Sequence, residues 1–142
     1  MLNVVGYTPK DALRVVDFIR KVQPAAAPDK GVLSRSVLIK DDKEIVGMVS
    51  YESHGDMGVV RYFLYDARIA GTDIVVGMFF ALYQKAYTCG VKQLIAKVPS
   101  QEVERLFEML GFKRVTGNRP DLTDFVREDV AIMLIHLKGT GV

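Results

Sequence analysis

The chain has 142 residues, 49% apolar and 25% charged, with 19 Lys and Arg against 17 Asp and Glu for a formal net charge of +2. That length suits a single domain over 1–142 that folds without a staple, and the composition excludes a disordered chain and a basic nucleic-acid-binding face. One cysteine and two separated histidines exclude a disulfide and a metal cage, and no stretch is apolar enough for a leader or a membrane span, so a cytoplasmic protein is expected.

Leu2–Val5 is a short strand candidate. Thr8-Pro9 reads as a helix start, and Ala12, Val15, Val16, Ile19 and Val22 recur at helical steps, giving one buried stripe that must end before Pro24. Gln23 to Arg35 reads as a loop with at most one helical turn. A meander follows: a strand at Ser36–Ile39, a turn at Asp41–Lys43, a strand at Glu44–Tyr51, a turn at Ser53–Asp56, and a strand at Val59–Tyr65. From Ile74 the period changes. Val75, Met78, Phe79, Leu82 and Ala86 lie on one helical face, and Gly90 closes that helix. Leu94–Val98 reads as a buried strand. Val103, Leu106, Phe107 and Leu110 make a further amphipathic helix closed by Gly111. Phe112–Val115 is a short strand, a polar loop runs through Asn118–Asp121, and Val130–Leu137 suits an interior strand covered on both faces. The order predicts an α+β domain with a mixed, mostly antiparallel central sheet flanked by helices.

This order, with Phe107-Glu108-Met109-Leu110-Gly111-Phe112 after it, resembles the GNAT family of N-acetyltransferases, in which a Tyr-Glu-x-x-Gly-Phe-like segment joins a helix to the next strand. Phe63-Leu64-Tyr65-Asp66-Ala67 is similar to that family's strand running into an Asp-Pro turn. Asp73 and Gly90 lie 17 positions apart, the spacing from the family's phosphate loop to the helix end. The resemblance implies acetyl-CoA binding by a Gln/Arg-x-x-Gly-x-Gly/Ala loop, whose helix-N-terminal amides receive the pyrophosphate. Here that loop corresponds to Ala70-Gly71-Thr72-Asp73-Ile74-Val75, or, slipped, to a segment starting at Arg68 that recovers Gly71 but leaves Asp73 in the last small position.

Asp73 is expected to cap the helix itself and to repel a pyrophosphate, at roughly 4 kcal/mol per like-charge pair at 4 Å and an effective dielectric near 20. Val75 adds an expected steric block. Phe107 stands where the family often carries a proton-donating Tyr, and Ser100 where many members carry an Asn. His54 and Glu52 are the candidate bases, with Asp56 and Asp66 behind them. His136 reads as a sheet residue and Cys89 as packing, since a helix C-terminus does not activate a thiol. Phe80, Tyr83 and Tyr87 fall off the buried stripe and suggest an aromatic contact patch, while Arg114, Arg119 and Arg127 read as solvated.

Two functions are consistent with these residues. The first is a GNAT-like fold that has lost acetyl-CoA binding, has no cofactor, and serves as a non-catalytic binding or structural module with a protein partner or a second copy of itself. Degenerate domains of this kind resemble small virion-associated proteins of tailed bacteriophages, which would place the chain in a virion. The alternative is an N-acetyltransferase moving an acetyl group from acetyl-CoA to an amine. In that case Leu64 and Tyr65 would supply backbone amides and Gly71, Thr72, Asp73, Ile74 and Val75 the cofactor loop. The first is the expectation carried forward.

Overall fold

The computed structural model describes the whole chain except residues 26, 117, 118, 120, 123–129 and 139–142, so Asn118, Pro120 and Arg127 lie outside the described residues. Seven strands form one sheet: β1 (Leu2–Gly6), β2 (Ser36–Asp41), β3 (Glu44–His54), β4 (Met57–Tyr65), β5 (Gln93–Val98), β6 (Lys113–Arg114) and β7 (Ala131–His136). Their spatial order is β1-β2-β3-β4-β5-β7-β6. Every neighbouring pair is antiparallel except β4 and β5, which run parallel. That pair is joined by the crossover through a 16-residue helix, as parallel strands require.

Among the described residues four α-helices cover the sheet: α1 (Ala12–Val22), α2 (Lys30–Leu33), α3 (Asp73–Thr88) and α4 (Gln101–Met109). α3 and α4 pack on one face, where Met78, Phe79, Leu82, Phe107 and Leu110 meet Val37, Val49, Tyr51 and Met133. α1 and α2 pack on the other, around Val15, Phe18, Ile19, Leu33, Met48 and Leu64. A third cluster on that second face joins Val59, Ile95, Leu122, Ile132 and Leu134. β7 is therefore buried on both sides, as its unbroken apolar run predicts.

The structure changes several sequence expectations. β3 runs on through His54, because Ser53 and His54 still pair with Gly58 and Met57, so the turn shrinks to Gly55-Asp56. Phe18 enters the core and Val22 stays exposed. Cys89, the residue that caps the end of α3, is exposed instead of packed. Tyr83 is half-buried: its ring lies edge-on to Phe80 at 5.8 Å, while its hydroxyl donates to the Leu110 carbonyl at 2.6 Å, tying α3 to the end of α4. Phe80 and Tyr87 remain exposed. Among the described residues, no helix is long and apolar enough to cross a membrane, and no group of ligating side chains could hold a metal ion.

Candidate active site

The site begins with one irregular rung. Val49 pairs with Phe63 but Tyr51 with Val60, so Ser50 alone faces both Arg61 and Tyr62. This is a β-bulge, stabilised where Ser50 Oγ accepts from the Tyr62 amide at 3.4 Å. A bulge bends its strand and sharpens its twist. Consistent with that, β4 and β5 pair only over Met57–Val59 and Gln93–Ile95, and then diverge. The wedge between them holds a cavity of about 410 Å³.

Its two sides differ chemically. Facing α3 and α4 are Val60, Phe63, Tyr65 and Ala96, closed by Val103, Leu106 and Phe107. Phe107 is 3% exposed and its ring lies edge-on to Phe63, Phe79 and Phe112 at 5.8, 5.6 and 5.0 Å. Facing α1 are Arg61, Tyr62, Leu64 and Lys97, with Gln23 from the end of α1. Lys97 takes this side because Ala96 and Val98 point into the α3 core.

The backbone of β4 is also divided. The Asp66 amide donates to the Val46 carbonyl, a hydrogen-bonded rung between β4 and β3. Antiparallel alternation then turns the Leu64 amide toward β3 and the Phe63 and Tyr65 amides toward the wedge.

At the far end of β4 the chain makes a short 3-10 turn, Ala67–Ile69, capped by Asp66 Oδ1, which accepts from the Arg68 amide at 2.9 Å. Arg68 pairs with Asp66 and Glu44, both at 3.1 Å. The Arg68 hydrogen bond also holds the Asp66 carboxyl below the usual carboxylate range, so neither residue offers an idle charge or base. Gly71 follows with φ of +74°, a left-handed conformation that a side chain would strain, and nothing lies within 4 Å of where its Cβ would stand.

α3 then starts differently from the sequence expectation. Its N-cap is Thr72, not Asp73, and the Thr72 hydroxyl donates backward to the Ile69 carbonyl at 2.6 Å instead of accepting from the helix. No Thr72 side-chain bond therefore caps the first-turn amides, which keep the partial positive charge of a helix N-terminus. Asp73 is the first helical residue and is exposed, so its charge acts through water, where a like pair at 4 Å costs about 1 kcal/mol and not four times that. Ile74 packs on the α3 core. Val75 is 5% exposed within that core and does not obstruct the loop. Asp73 therefore does not cap α3, and Val75 does not stand in the loop before it. The residues present fit a pyrophosphate at the α3 start and an apolar arm along the wedge.

Glu52 and His54 are brought together: His54 Nε2 lies 2.9 Å from Glu52 Oε1, and Arg61 Nη1 donates to Glu52 Oε2 at 2.6 Å. The Arg61 hydrogen bond holds Glu52 well below the ordinary carboxylate range. Neither Glu52 nor His54 lines the wedge; Arg61 connects them to it. Asp56 sits in the turn at the closed end, where its carbonyl accepts from the Lys92 amide at 2.7 Å. Ser100 caps α4, its Oγ accepting from the Val103 amide at 3.3 Å. His136 is exposed at the end of β7, 3.3 Å from Gln93. Arg119 pairs with Asp121 and Arg114 with Glu104. The wedge residues Arg61, Tyr62, Phe63 and Lys97 were missed by sequence reasoning; the available signal was Arg61, the one charged residue in the otherwise uncharged strand Met57–Tyr65.

No known family's sequence profile matches the chain, and no curated protein matches it by sequence. Solved structures do. An aminoglycoside 6'-N-acetyltransferase complexed with coenzyme A superposes with a TM-score of 0.74 at 14% identity, covering 99% of each chain. The ribosomal-protein-S18-alanine N-acetyltransferase of Escherichia coli gives 0.72 at 16% identity, covering 99% of this chain and 97% of its own.

The fold is the GNAT fold, shared with an acetyltransferase of the GNAT family from Staphylococcus aureus at a TM-score of 0.70 and 14% identity, covering 97% of this chain and 100% of its own.

The N-acetylglutamate synthase of Neisseria gonorrhoeae, complexed with coenzyme A and N-acetyl-glutamate, gives 0.73 at 14% identity; this chain spans only 35% of its length. The expectation of a GNAT-like domain that has lost its coenzyme, with no cofactor, is overturned. Its structural neighbours are acetyltransferases, two of them with coenzyme A bound, and the helix start that was to exclude a diphosphate is uncapped. The non-catalytic and virion readings have no counterpart among these structures.

Proposed function

We propose that this protein is an N-acetyltransferase that moves an acetyl group from acetyl-CoA to an amine. The observation that carries the reading is the divergence of β4 from β5, which opens an apolar-walled wedge leading to the uncapped start of α3. The GNAT fold, shared with acetyltransferases, supports it.

Acetyl-CoA supplies an activated thioester and a thiolate leaving group. The first-turn amides of α3 and the open turn at Gly71 receive the diphosphate. Phe63, Val103, Leu106 and Phe107 exclude water from the arm that carries the thioester. The Phe63 and Tyr65 amides, turned into the wedge, donate to the carbonyl oxygen as negative charge develops on it. Phe107 has no proton to give. Burial pushes the Tyr83 phenol far above its usual range, and its proton is given to the Leu110 carbonyl, which removes it as an acid. Among the described lining side chains on the coenzyme side, Tyr65 alone carries an exchangeable proton, which makes it the donor to the departing thiolate. Among the described residues no carboxylate or imidazole lines the wedge, and the incoming amine loses its proton to water on the α1 side.

Thermal unfolding with and without acetyl-CoA tests the reading. At ~100 times the dissociation constant, binding adds about 2.7 kcal/mol, on the order of 5–10 °C in Tm for a domain of this size. An unchanged Tm up to millimolar acetyl-CoA would overturn it.

A further inference from the structure

The sheet ends in two edge strands, and they differ. One is β6, only two residues long and both of them cations, Lys113 and Arg114. Short length and basic side chains are devices that stop a sheet edge from pairing with another chain. The other edge is β1, Leu2-Asn3-Val4-Val5-Gly6, which has no charge, no proline and an unbroken register against β2. None of the usual protections is built into it.

The direction of its backbone groups follows from two flanking bonds. The Tyr7 amide donates to the Ser36 carbonyl at 3.1 Å, and the Asp42 amide donates to the Met1 carbonyl at 3.3 Å. Antiparallel alternation then turns the backbone groups of Asn3 and Val5 toward β2, and those of Leu2, Val4 and Gly6 away from the sheet. Among the described residues no strand lies beyond them. This outward set is symmetric about Val4. When a second β1 runs antiparallel with Val4 facing Val4, each Val4 amide donates to the other Val4 carbonyl. Leu2 of either copy then exchanges both its bonds with Gly6 of the other, and every outward group is satisfied.

The side chains agree with that register. Leu2 and Val4 lie on the α3 face, packed on its core and still partly exposed. Gly6 falls on the same face, and nothing lies within 4 Å of where its Cβ would stand. Leu2 of one copy therefore enters the space that Gly6 leaves on the other. Because α3 lies over β1, β2 and β3, it is centred near β2, which leaves roughly 14 Å between the two α3 axes, more than the 8–10 Å of touching helices. Antiparallel pairing also sets the end that carries Asp41 and Asp42 toward the exposed Lys10 of the other copy, whereas parallel pairing would set acids beside acids.

We infer that β1 is the docking edge for a second copy of this chain, joined antiparallel about a two-fold axis through Val4 into one continuous sheet. A second β1 is the occupant because the register that satisfies the edge also seats Leu2 against Gly6. The contact closes on itself, since each copy spends its one unprotected edge. A five-residue edge is short for an interface, so the dimer is a weak one. The inference is independent of the acetyl-transfer reading, and it leaves the wedge between β4 and β5 open.

The test uses the full chain under reducing conditions, so that the exposed Cys89 cannot link copies. Sedimentation equilibrium between about 1 and 300 µM should show a monomer and a dimer in exchange, with a micromolar dissociation constant. Residue-resolved amide exchange reads the register. Across that range the Leu2, Val4 and Gly6 amides should slow by about tenfold, while Asn3, Val5 and Tyr7, already bonded to β2, stay the same. Gly6→Lys, whose side chain has open space in the monomer, should weaken the dimer by about tenfold or more, with the Tm of the dilute protein unchanged. The exchange pattern of the parent decides the matter should that variant not fold. A monomer at every concentration, a dimer in which those three amides still exchange freely, or a folded Gly6→Lys that dimerises as the parent does would overturn the inference.

Discussion

Gly58 faces Leu94 on the middle rung where β4 and β5 still pair, and a Cβ on Gly58 would come within 2.8 Å of Leu94 Cδ2 and 3.0 Å of Tyr51 Cδ2. Both neighbours are fully buried, so neither can retreat without disturbing the α3 core. Gly58→Ala is therefore expected to cost about 1–3 kcal/mol through overpacking. Because strain here would pry the two strands apart at the closed end of the wedge, acetyl-CoA affinity should fall as well. Denaturant unfolding and calorimetry read the two effects separately, and a variant as stable as the parent would contradict the packing described.

Phe107 packs its ring against Phe63, Phe79 and Phe112, joining α4 to α3 and the sheet while walling the wedge. Phe107→Ala should destabilise the protein by about 3–5 kcal/mol, seen as a large drop in the denaturation midpoint. Phe107→Leu, which retains most of the apolar volume, should lose less than half as much.

Asp73 offers a graded test of the helix start. Its charge acts through solvent, so Asp73→Asn should tighten acetyl-CoA binding by about fivefold, the equivalent of ~1 kcal/mol at low salt. At 0.5 M salt the difference should shrink toward unity. Titration calorimetry at both ionic strengths decides it; a gain of several hundredfold would mean that the carboxylate occupies the phosphate position.

Tyr65→Phe should lower kcat by about 100-fold if the phenol protonates the departing thiolate. KM for acetyl-CoA and Tm should change little, since the ring is retained. Steady-state kinetics showing an unchanged kcat would return that proton to water.

The contact between Lys40 Nζ and Asp11 Oδ1, 2.6 Å, joins β2 to the start of α1. Burial pushes the Asp11 carboxyl upward, but hydrogen bonds from Lys40 and from the Thr8 amide and hydroxyl outweigh it and hold it below its usual value. A carboxyl depressed in the folded state contributes stability above its unfolded pKa, near 4, and that contribution is lost as pH falls through the folded value. Asp11→Asn should cost about 2 kcal/mol at neutral pH and lose less further stability between pH 4 and pH 2 than the parent, in thermal scans across that range.

Local order was legible where one periodicity dominated. The stripe Val75–Met78–Phe79–Leu82–Ala86, the helix-closing Gly90 and Gly111, and the unbroken run at Ile132–Leu134 follow from side-chain spacing alone, and each sits where that spacing puts it. The helix start was not legible, because Thr72 and Asp73 are both good capping residues and only backbone dihedrals decide which one caps. A shift of one position moved Asp73 from the cap into the first turn and left the amides uncapped. Val75 shows the same sensitivity: a helix rotates by about 100° per residue, so the direction of one side chain depends on where the first turn begins.

The sequence by itself determined the element order, the α+β class and a core large enough for one domain, since these depend on composition and short-range periodicity. Only the tertiary structure decided that β4 leaves β5 after three rungs, that Arg61 and Lys97 line the same gap, and that Glu52 holds Arg61. Those relations join residues 36 positions apart through a bulge and a crossover helix. Strand divergence is a balance of twist and packing across the whole sheet, and no local pattern along the chain encodes it.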